Sequence, residues 1–247
     1  MKSSASLKLS IAIPFYNEES ILKKNLSQLA TELSQFDEQI EVFLCDSGSV
    51  DNGRSIAQDF IRNQPASKTA WYFLDSKERL SCGQSSSRVG SLFKGQWLLV
   101  LPIDCSLDRR HLEALLNLPQ TEGWGGFEKI YEPTSFLLKN LERLLNKIRS
   151  GRLRHLVWTN GMFISKHLYQ KHPIPTPGFM EDVIWSDWLR RSRHPFHLLR
   201  PPMTASSRRY QKNGITNTIL RNVFIMILFR LKLLSIEKLE KVYRQLN

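Results

Sequence analysis

Acidic residues stand at the ends of several apolar segments of this chain, where carboxylates can act on a ligand. Asp46 ends the run IEVFLCD, and Asp104 ends the run QWLLVLPID. Two more acids, Glu181 and Asp182, are adjacent in the segment FMEDV. A carboxylate can accept hydrogen bonds, coordinate a hard divalent cation, or take a proton from an attacking hydroxyl. Which of these it does depends on the elements that position it.

The first 104 residues alternate between strand-like and helix-like segments. This order predicts a parallel sheet with helices on both faces. The predicted strands are 7–15, 40–45, 70–75 and 96–104, and the predicted helices are 17–36, 50–63 and 86–95, the last closed by Gly95 as a C-cap. Ligands bind outside the carboxyl ends of such strands, so we expect PFYNEE, Asp46 and Asp104 to converge.

The pattern is looser after residue 105. Apolar residues at helical spacing predict helices over 135–150, 180–192 and about 215–234. Segment 155–170 fits either a strand–turn–strand or a strand followed by a helix, and 173–179 is a Pro-rich loop.

The composition favours one large α/β domain, with two small domains as the alternative. The chain has 247 residues, of which 41% are hydrophobic and 23% are charged. Its three cysteines, Cys45, Cys82 and Cys105, fit no zinc spacing and leave an odd thiol, which favours a reducing compartment. The N-terminus MKSSASLKLSIAIPF has no long apolar stretch before a cleavage site, so we expect no signal peptide and a cytoplasmic location.

Positive charge is concentrated in the last quarter of the chain. Residues 183–247 contain 13 Lys/Arg and 3 Asp/Glu, which gives +10 of the total net charge of +12. Such a segment favours an anionic partner such as phospholipid, nucleic acid or a phosphorylated substrate. The alternative is a solvated helical face.

Four motifs follow one another in the order SIAIPFYNEE, VFLCDSGSVDNG, GQWLLVLPID and FMEDV. In this order and at these spacings they resemble the family 2 glycosyltransferases of the GT-A fold. The segments WTNGMFISKHLY, PIPTPGFMEDVIWSDWLRRS and PPMTASSRRYQKNGI are similar to the branch labelled rSAM/selenodomain-associated transferase 2. With them the resemblance covers nearly the whole chain.

The resemblance implies an α/β GT-A fold, Rossmann-like, with a mostly parallel central sheet flanked by helices. A glycosyltransferase domain would occupy residues 1–205, with a nucleotide-binding half over about 1–106 and an acceptor half over about 107–205. Residues 206–247 would form a basic, amphipathic helical extension. The implied reaction moves a sugar from a UDP- or GDP-sugar to an acceptor hydroxyl, with inversion and with Mg²⁺ or Mn²⁺ as cofactor.

The resemblance assigns nucleotide binding to the ends of the first two strands. A carboxylate can accept from a base imide or a ribose hydroxyl, and an aromatic ring can stack on the base. Small residues after the second strand would let the nucleotide approach the backbone. The residues concerned are Pro14, Tyr16, Asn17, Glu18, Asp46, Ser47 and Gly48.

Three residues in this region, Asn17, Glu18 and Asp51, also have a structural interpretation. The alternative role for Asn17 and Glu18 is to cap the first helix. Asp51 lies past the loop, in the first turn of the next predicted helix, and we expect it to be structural.

Asp104 is the candidate metal ligand and diphosphate contact. A hard cation held by one or two carboxylates and by phosphate oxygens stabilises the leaving diphosphate. The motif reads LPID, with Pro102 where the family pattern has its first acid, so one carboxylate would hold the metal. The alternative is that Asp104 only begins a turn.

Asp182 is the candidate general base, with Glu181 beside it at the mouth of the acceptor site. One base and in-line attack give inversion without a covalent intermediate. The alternative is that both acids only favour a helix N-terminus. Arg208 and Arg209, in SSRRYQKNG, can donate to the diphosphate, or they are surface charge.

The last predicted helix carries a stripe of apolar residues among basic ones. Apolar residues at 219, 220, 223, 224, 227, 228 and 231 are flanked by Arg221, Arg230 and Lys232. The stretch is too short and too charged to span a bilayer. It can lie in a membrane interface, close the core or pair with another chain. A membrane surface would suit a lipid-linked acceptor.

Two other functions compete with an active transferase. In TNGMF, Thr159 and Asn160 stand where the resembled branch tends to carry Asp-Gln, and together with Pro102 they suggest a degenerate, catalytically weak nucleotide-sugar-binding protein. The basic tail alone suggests nucleic-acid binding. That class lacks support because no zinc, helix-turn-helix or aromatic–basic pattern is present, so we expect no nucleic-acid partner.

Overall fold

A computed structural model describes residues 7–65, 68–119, 122–150 and 153–246, apart from the side chains of 148–150 and 209. Within these ranges eight strands form one sheet in the order β3-β2-β1-β4-β7-β6-β8-β5. The strands are β1 (Leu9–Phe15), β2 (Ile40–Asp46), β3 (Thr69–Leu74), β4 (Trp97–Val100), β5 (Cys105–Ser106), β6 (Trp124–Glu132), β7 (Met162–Ser165) and β8 (Phe196–Ser206).

Ten α-helices lie in the described ranges, and a short 3-10 turn covers Trp158–Asn160. The helices are α1 (Glu19–Leu33), α2 (Gly53–Arg62), α3 (Cys82–Ser87), α4 (Arg109–Leu116), α5 (Phe136–Ser150), α6 (Lys166–Lys171), α7 (Glu181–Arg191), α8 (Arg208–Asn213), α9 (Ile215–Arg230) and α10 (Ile236–Gln245).

The N-terminal half of the sheet is parallel, as the alternating pattern predicts. β1 pairs in parallel with β2 and β4, and β2 pairs in parallel with β3. Along β1, Ile11 and Ile13 join a core with α1 and α2, while Ala12 joins a second core on the opposite face. Because both faces are covered, these strands are apolar nearly throughout.

The C-terminal half is mixed, which the sequence patterns do not predict. β7 lies antiparallel between β4 and β6, β6 is parallel to β8, and β5 is antiparallel to β8. Segment 155–170 folds as the 3-10 turn, β7 and α6, so of the two alternatives the strand followed by a helix is the correct one. The sequence patterns also miss α4, β6, β8 and α10.

Two predicted elements near Asp104 are wrong in their bounds. α3 begins at Cys82 rather than at residue 86, because Ser81 and Gln84 form a capping box. Gly95 therefore ends no helix; it lies against β1, where a Cβ would come within 2.5 Å of the Ser10 Oγ. β4 ends at Val100, and the next residues turn toward β5.

The C-terminal helices begin directly after the last long strand. β8 ends at Ser206, which is where the sequence places the start of the helical extension. The buried residues of α9 are Thr218, Arg221 and Ile225, so most of the predicted apolar stripe faces outward. In the part of the chain that the structure describes, no helix is both long enough and apolar enough to cross a membrane.

Candidate functional site

A cleft of about 640 Å³ lies at the carboxyl ends of β1, β2 and β4. The sheet edge, the loop before α3, the start of α7 and the β8–α8 junction all contribute to its walls. Most of the predicted site residues line it: Pro14, Tyr16, Glu18, Ser47, Asp104, Asp182 and Arg208. The expected convergence of PFYNEE and Asp104 is therefore present in the fold.

Asn17 holds the loops on this edge together. Its backbone N–H donates to the Ser49 Oγ at 3.1 Å, and its side-chain oxygen accepts from the Val50 N–H at 2.9 Å. The residue has a φ of +52°, in the region where asparagine is tolerated. The structure thus places its side chain on the β2–α2 loop, and it does not cap α1 through that side chain.

Asp51 joins the N-termini of two helices. Its carboxylate accepts from the Glu19 N–H of α1 at 3.0 Å and from the Gly53 N–H of α2 at 2.9 Å. Glu19 reciprocates by accepting from the backbone and side chain of Asn52. The prediction that Asp51 is structural is confirmed, although it lies just before α2 rather than within its first turn.

Asp46 lies behind the cleft and is fully buried. One of its oxygens accepts from the Ser49 N–H at 3.1 Å, and the other pairs with the Arg54 guanidinium at 3.0 Å. Arg54 also reaches the Asp75 carboxylate at 3.0 Å. Asp46 thus has partners within the protein, and its predicted contact with a nucleotide stays a prediction.

The loop after Asp46 has small residues because another part of the protein backbone approaches it, which the sequence did not indicate. Gly48 has a φ of +81°, and a Cβ there would lie 2.3 Å from the Glu78 carbonyl oxygen. Glycine is therefore required by the close approach of protein backbone. Ser47 lines the cleft, and its carbonyl accepts from the Leu80 N–H at 3.1 Å.

Tyr16 and Arg79 form one wall of the cleft. The Arg79 guanidinium carbon lies 3.4 Å from the centroid of the Tyr16 ring, which is a cation–π stack. Arg79 covers one face of the ring, so a nucleobase could stack on the other face, or on this face if Arg79 moves away.

Glu18 and Arg208 face each other across the mouth of the cleft. A single Arg208 nitrogen donates to both Glu18 carboxylate oxygens at 3.1 Å. Burial raises the pKa of Glu18, and the neighbouring Arg208 opposes that rise. Glu18 precedes α1 and makes no side-chain cap there, so its described contact is across the cleft.

Asp104 lies in the turn between β4 and β5, partly exposed in the cleft. Among the described residues, no three His, Cys, Asp or Glu side chains come together as a metal site. A hard cation needs only one or two protein carboxylates when phosphate oxygens and water complete its shell. This donor set therefore fits a divalent ion held largely by a bound diphosphate.

Asp182 is the second residue of α7 and lines the same cleft as Asp104. Its carboxylate accepts from the Trp158 N–H at 3.3 Å and from the Val183 N–H at 2.9 Å. Burial raises the pKa of Asp182, and these two hydrogen bonds and the Lys129 charge oppose that rise. A partly buried carboxylate of this kind is suited to accept a proton.

Glu181 faces away from Asp104, toward α3. Its carboxylate accepts from the Ser81 hydroxyl and from the Gly83 N–H, the latter at 2.8 Å. Burial raises the pKa of Glu181, and both hydrogen bonds oppose that rise. Glu181 is only 3% exposed, and its contacts tie the start of α7 to α3. Its predicted catalytic role stays a prediction.

A second cavity of about 830 Å³ continues from the cleft on the far side of Asp182. Arg79, Trp158 and Asp182 line both spaces. The second cavity is lined on its outer side by α9 and α10 and by the Pro-rich loop, with apolar groups from Phe179, Met180, Ile225, Met226 and Tyr243.

Comparison with known proteins identifies the family. Residues 10–167 match the model of Glycosyl transferase family 2. The chain belongs to this family. A 116-residue stretch is 33% identical to the uncharacterized glycosyltransferase MG060 of Mycoplasma genitalium, and this stretch is 47% of the chain and 38% of that protein.

Solved structures show the fold of this chain. The Staphylococcus aureus protein TarS, residues 1–349 in complex with UDP-GlcNAc, matches 90% of the chain with a TM-score of 0.62 at 16% identity. The mannosyltransferase PcManGT from Pyrobaculum calidifontis, in complex with GDP-Man and Mn²⁺, matches 92% with a TM-score of 0.67 at 14% identity. The chain spans 66% and 65% of the lengths of these two proteins. The GT-A fold is thereby confirmed.

Lys129 is a cleft residue that sequence reasoning missed. It lies on β6 with a side chain that is 2% exposed, and its Nζ donates to the Thr159 Oγ1 at 3.0 Å. The signal is in FEKIYE, where Phe127, Lys129 and Tyr131 alternate toward the buried face. A lysine on the inward face of a strand is unusual unless it is paired or has a function.

The remaining predicted residues divide between the cleft and the protein core. Thr159 lines the cleft, whereas Asn160 is fully buried and its amide donates to the Phe127 carbonyl at 2.8 Å. Arg209 lies in α8, and its side chain is outside the described residues. The prediction that it contacts the diphosphate therefore stays a prediction.

Proposed function

We propose that the transferase moves a sugar from a nucleoside-diphosphate sugar to an acceptor hydroxyl, with inversion at the anomeric carbon. The observation that carries this proposal is the placement of Asp104 and Asp182 on one cleft at the carboxyl edge of the sheet. Asp104 would act on the diphosphate, and Asp182 would act on the acceptor hydroxyl.

The donor would be a UDP- or GDP-sugar. TarS holds UDP-GlcNAc and PcManGT holds GDP-Man, and both share the fold of this chain. Pro14, Tyr16 and Ser47 line the end of the cleft that would take the base and ribose, with Asp46 buried behind them. Arg208 would donate to the diphosphate at the cleft mouth.

Asp104 would hold the divalent ion, Mg²⁺ or Mn²⁺, together with the diphosphate oxygens. The bound ion supplies Lewis-acid charge neutralisation to the leaving group. PcManGT is seen with Mn²⁺, and this supports the same cofactor here. Asp104 would be the protein carboxylate that holds the ion, because Pro102 stands where the family pattern has its first acid.

Asp182 would act as the general base. Its pKa is raised by burial, so the ionised carboxylate takes a proton more readily than an exposed aspartate does. The attacking hydroxyl would lose its proton to Asp182 as it displaces the diphosphate from the opposite face. A single displacement of this kind inverts the anomeric centre.

Nucleotide binding is the first test. A thermal-shift panel of UDP, GDP and their sugars, with Mn²⁺ or with EDTA, should raise the melting temperature for one nucleotide series because ligands stabilise the native state. If no nucleotide or nucleotide sugar raises the melting temperature of the protein, the proposal is contradicted.

Turnover is the second test. Release of nucleoside diphosphate from the donor measures turnover and should require Asp182. Asp182→Asn should lower kcat by at least about a hundredfold while nucleotide binding is retained. Asp104→Ala should weaken the effect of Mn²⁺. Nucleotide binding without any turnover in the wild type would instead identify the catalytically weak binding protein as the correct alternative.

The second cavity would receive the acceptor. It begins at Asp182, so a hydroxyl placed there lies on the side of the base away from the nucleotide. Its lining is mixed, with apolar groups from α9 and α10 beside polar and charged ones, and this would suit an acceptor with an apolar and a polar portion, such as a lipid-linked sugar. The helical extension over 206–247 would then act as the acceptor wall of a glycosyltransferase domain over 1–205.

The outer face of α9 would rest on an anionic membrane surface. Leu220, Val223, Phe224 and Ile227 are each about half exposed or more, and basic residues flank them in a segment of net charge +10. Apolar burial and attraction to anionic lipid reinforce each other at such a helix. The protein would lie peripherally on the cytoplasmic face.

Liposome sedimentation tests this surface. The chain should sediment with phosphatidylglycerol vesicles and much less with phosphatidylcholine vesicles. Val223→Glu together with Ile227→Glu should abolish sedimentation and leave nucleotide binding unchanged. Equal recovery of the wild type with both vesicles, or no effect of the two substitutions, would contradict membrane docking through α9.

A further inference from the structure

The buried amine of Lys129 lies on the floor of the cleft between the two functional carboxylates. Its Nζ donates to the Thr159 Oγ1, and the Thr159 carbonyl lies 3.9 Å from the Cys105 Sγ. That thiol lies 3.9 Å from an Asp104 carboxylate oxygen. On the other side, the residue before Thr159 donates its N–H to Asp182.

The fold directs this amine into the cleft. On β6, residues 127, 129 and 131 alternate onto the buried face, and Phe127 and Tyr131 are apolar members of the core. The pairing of β6 with β8 is irregular between Phe127 and Lys129. Such irregularities bend a strand and re-aim a side chain near a functional site. The Lys129 Nζ also lies 4.6 Å from the Tyr131 ring centroid.

The charges of the described cleft lining include three acids and three cations. The acids are Glu18, Asp104 and Asp182, and the cations are Arg79, Lys129 and Arg208. Arg79 stacks on Tyr16 and Arg208 pairs with Glu18, both toward the mouth. Lys129 is the buried member of the three, and Thr159 and Cys105 lie between it and Asp104.

We propose that Lys129 binds the distal phosphate of the donor diphosphate and stabilises the leaving group. This inference rests on the proposed function and deepens it by assigning a second source of positive charge. When the bond from the anomeric carbon to the phosphate oxygen breaks, its electron pair remains on that oxygen. An ammonium group held in a cleft of low dielectric stabilises that charge more than one in water does.

The proposal gives a physical reason for the single acid in LPID. The positive charge of Lys129 repels a divalent ion held by Asp104, so the metal binds there less tightly. At the same time it neutralises part of the diphosphate charge itself. The transferase would then depend less steeply on the metal than a site with two acids.

The test compares nucleoside diphosphate with monophosphate by calorimetry. UDP and UMP, or GDP and GMP if that series binds more tightly, are titrated into wild type, Lys129→Met, Lys129→Arg and the control Lys139→Met. Lys139 is exposed on α5. Each titration is run with Mn²⁺ and with EDTA, and circular dichroism checks the fold of each variant.

We expect Lys129→Met to lower diphosphate affinity about ten- to a hundredfold, with a much smaller effect on monophosphate. Lys129→Arg should keep most of the diphosphate preference, since it keeps the charge. In EDTA the wild type should retain measurable diphosphate binding, and Lys129→Met should lose it. If Lys129→Met does not fold, Lys129→Gln takes its place in the comparison.

Two results overturn the inference, and they differ from failure of the proposed function. An unchanged ratio of diphosphate to monophosphate affinity in Lys129→Met would show that the lysine is only a structural residue held by Thr159. Equal losses for both nucleotides would show the same. If neither UDP nor GDP binds the wild type, the proposed function fails and this inference fails with it.

Discussion

Arg208 donates to both carboxylate oxygens of Glu18 at 3.1 Å, and both residues line the cleft. The two residues are 190 positions apart in the sequence. Glu18 follows the first strand, whereas Arg208 begins the first of the C-terminal helices. This part of the cleft wall is therefore completed only when the end of the chain has folded onto its beginning.

Replacing Arg208 should weaken nucleotide binding more than it weakens the fold. Arg208 is more than half exposed, and exposed ion pairs contribute about 0–1 kcal/mol to stability. We expect Arg208→Ala to lower nucleoside diphosphate affinity about tenfold, measured by calorimetry, because a charged donor to the diphosphate is lost. Arg200→Ala is the matched control, since Arg200 pairs at 2.9 Å with the surface residue Glu128. Equal affinities for the two variants would contradict a role for Arg208 at the diphosphate.

As the pH is lowered, the rate of donor hydrolysis should fall at a higher pH than it would with an exposed aspartate as the base. Burial raises the pKa of Asp182, and a base is active only when it is deprotonated. As pH falls through this raised pKa, Asp182 gains a proton and kcat should drop about tenfold per pH unit. The measurement is kcat against pH at saturating donor and Mn²⁺. A flat profile down to the ordinary range of an exposed aspartate would argue against Asp182 as the base.

A side chain at residue 83 should clash with Glu181 and destabilise the protein. A Cβ there would lie 2.5 Å from the Glu181 carboxyl carbon, and that carboxylate is held by Ser81 and by the Gly83 N–H. We expect Gly83→Ala to lower the free energy of unfolding by about 1–3 kcal/mol in urea denaturation, although alanine favours helices.

The pair Gly83→Ala and Glu181→Ala forms a double-mutant cycle that isolates this contact. The double variant should be less destabilised than the sum of the single variants, because removing the carboxylate removes the clash. Additive changes in the free energy of unfolding would show that the contact is not the cause.

Loss of the Asp51 carboxylate should destabilise the loops that carry the nucleotide side of the cleft. It accepts from the first turns of both α1 and α2, and loss of such a cap costs about 0.5–2 kcal/mol. We expect Asp51→Ala to lower the free energy of unfolding by that amount, measured by urea denaturation. Asp59→Ala is the control, since Asp59 pairs with Arg62 on the exposed face of α2, and it should change stability by at most about 0.5 kcal/mol.

Local sequence patterns were sufficient where the sheet is parallel. Strands buried on both faces are apolar nearly throughout, and the intervening helices have one apolar face. The sequence therefore predicts β1, β2 and the helices that follow them. The mixed half gave no such signal, since β7 has four residues and β5 has two. β6 was missed because its inward positions include Lys129, whose charge breaks the apolar pattern.

The sequence by itself determined the family, the parallel half of the sheet and the identities of Asp104 and Asp182 as cleft residues. These follow from local residue order, because strand ends and helix starts are set by nearby side chains. The tertiary structure decided which acids are available to a ligand. It engages Glu181 with α3 and Asp46 with Arg54, and it brings Lys129 and Arg208 to the cleft from distant parts of the chain. Such pairings depend on packing across the sheet, and no local pattern encodes them.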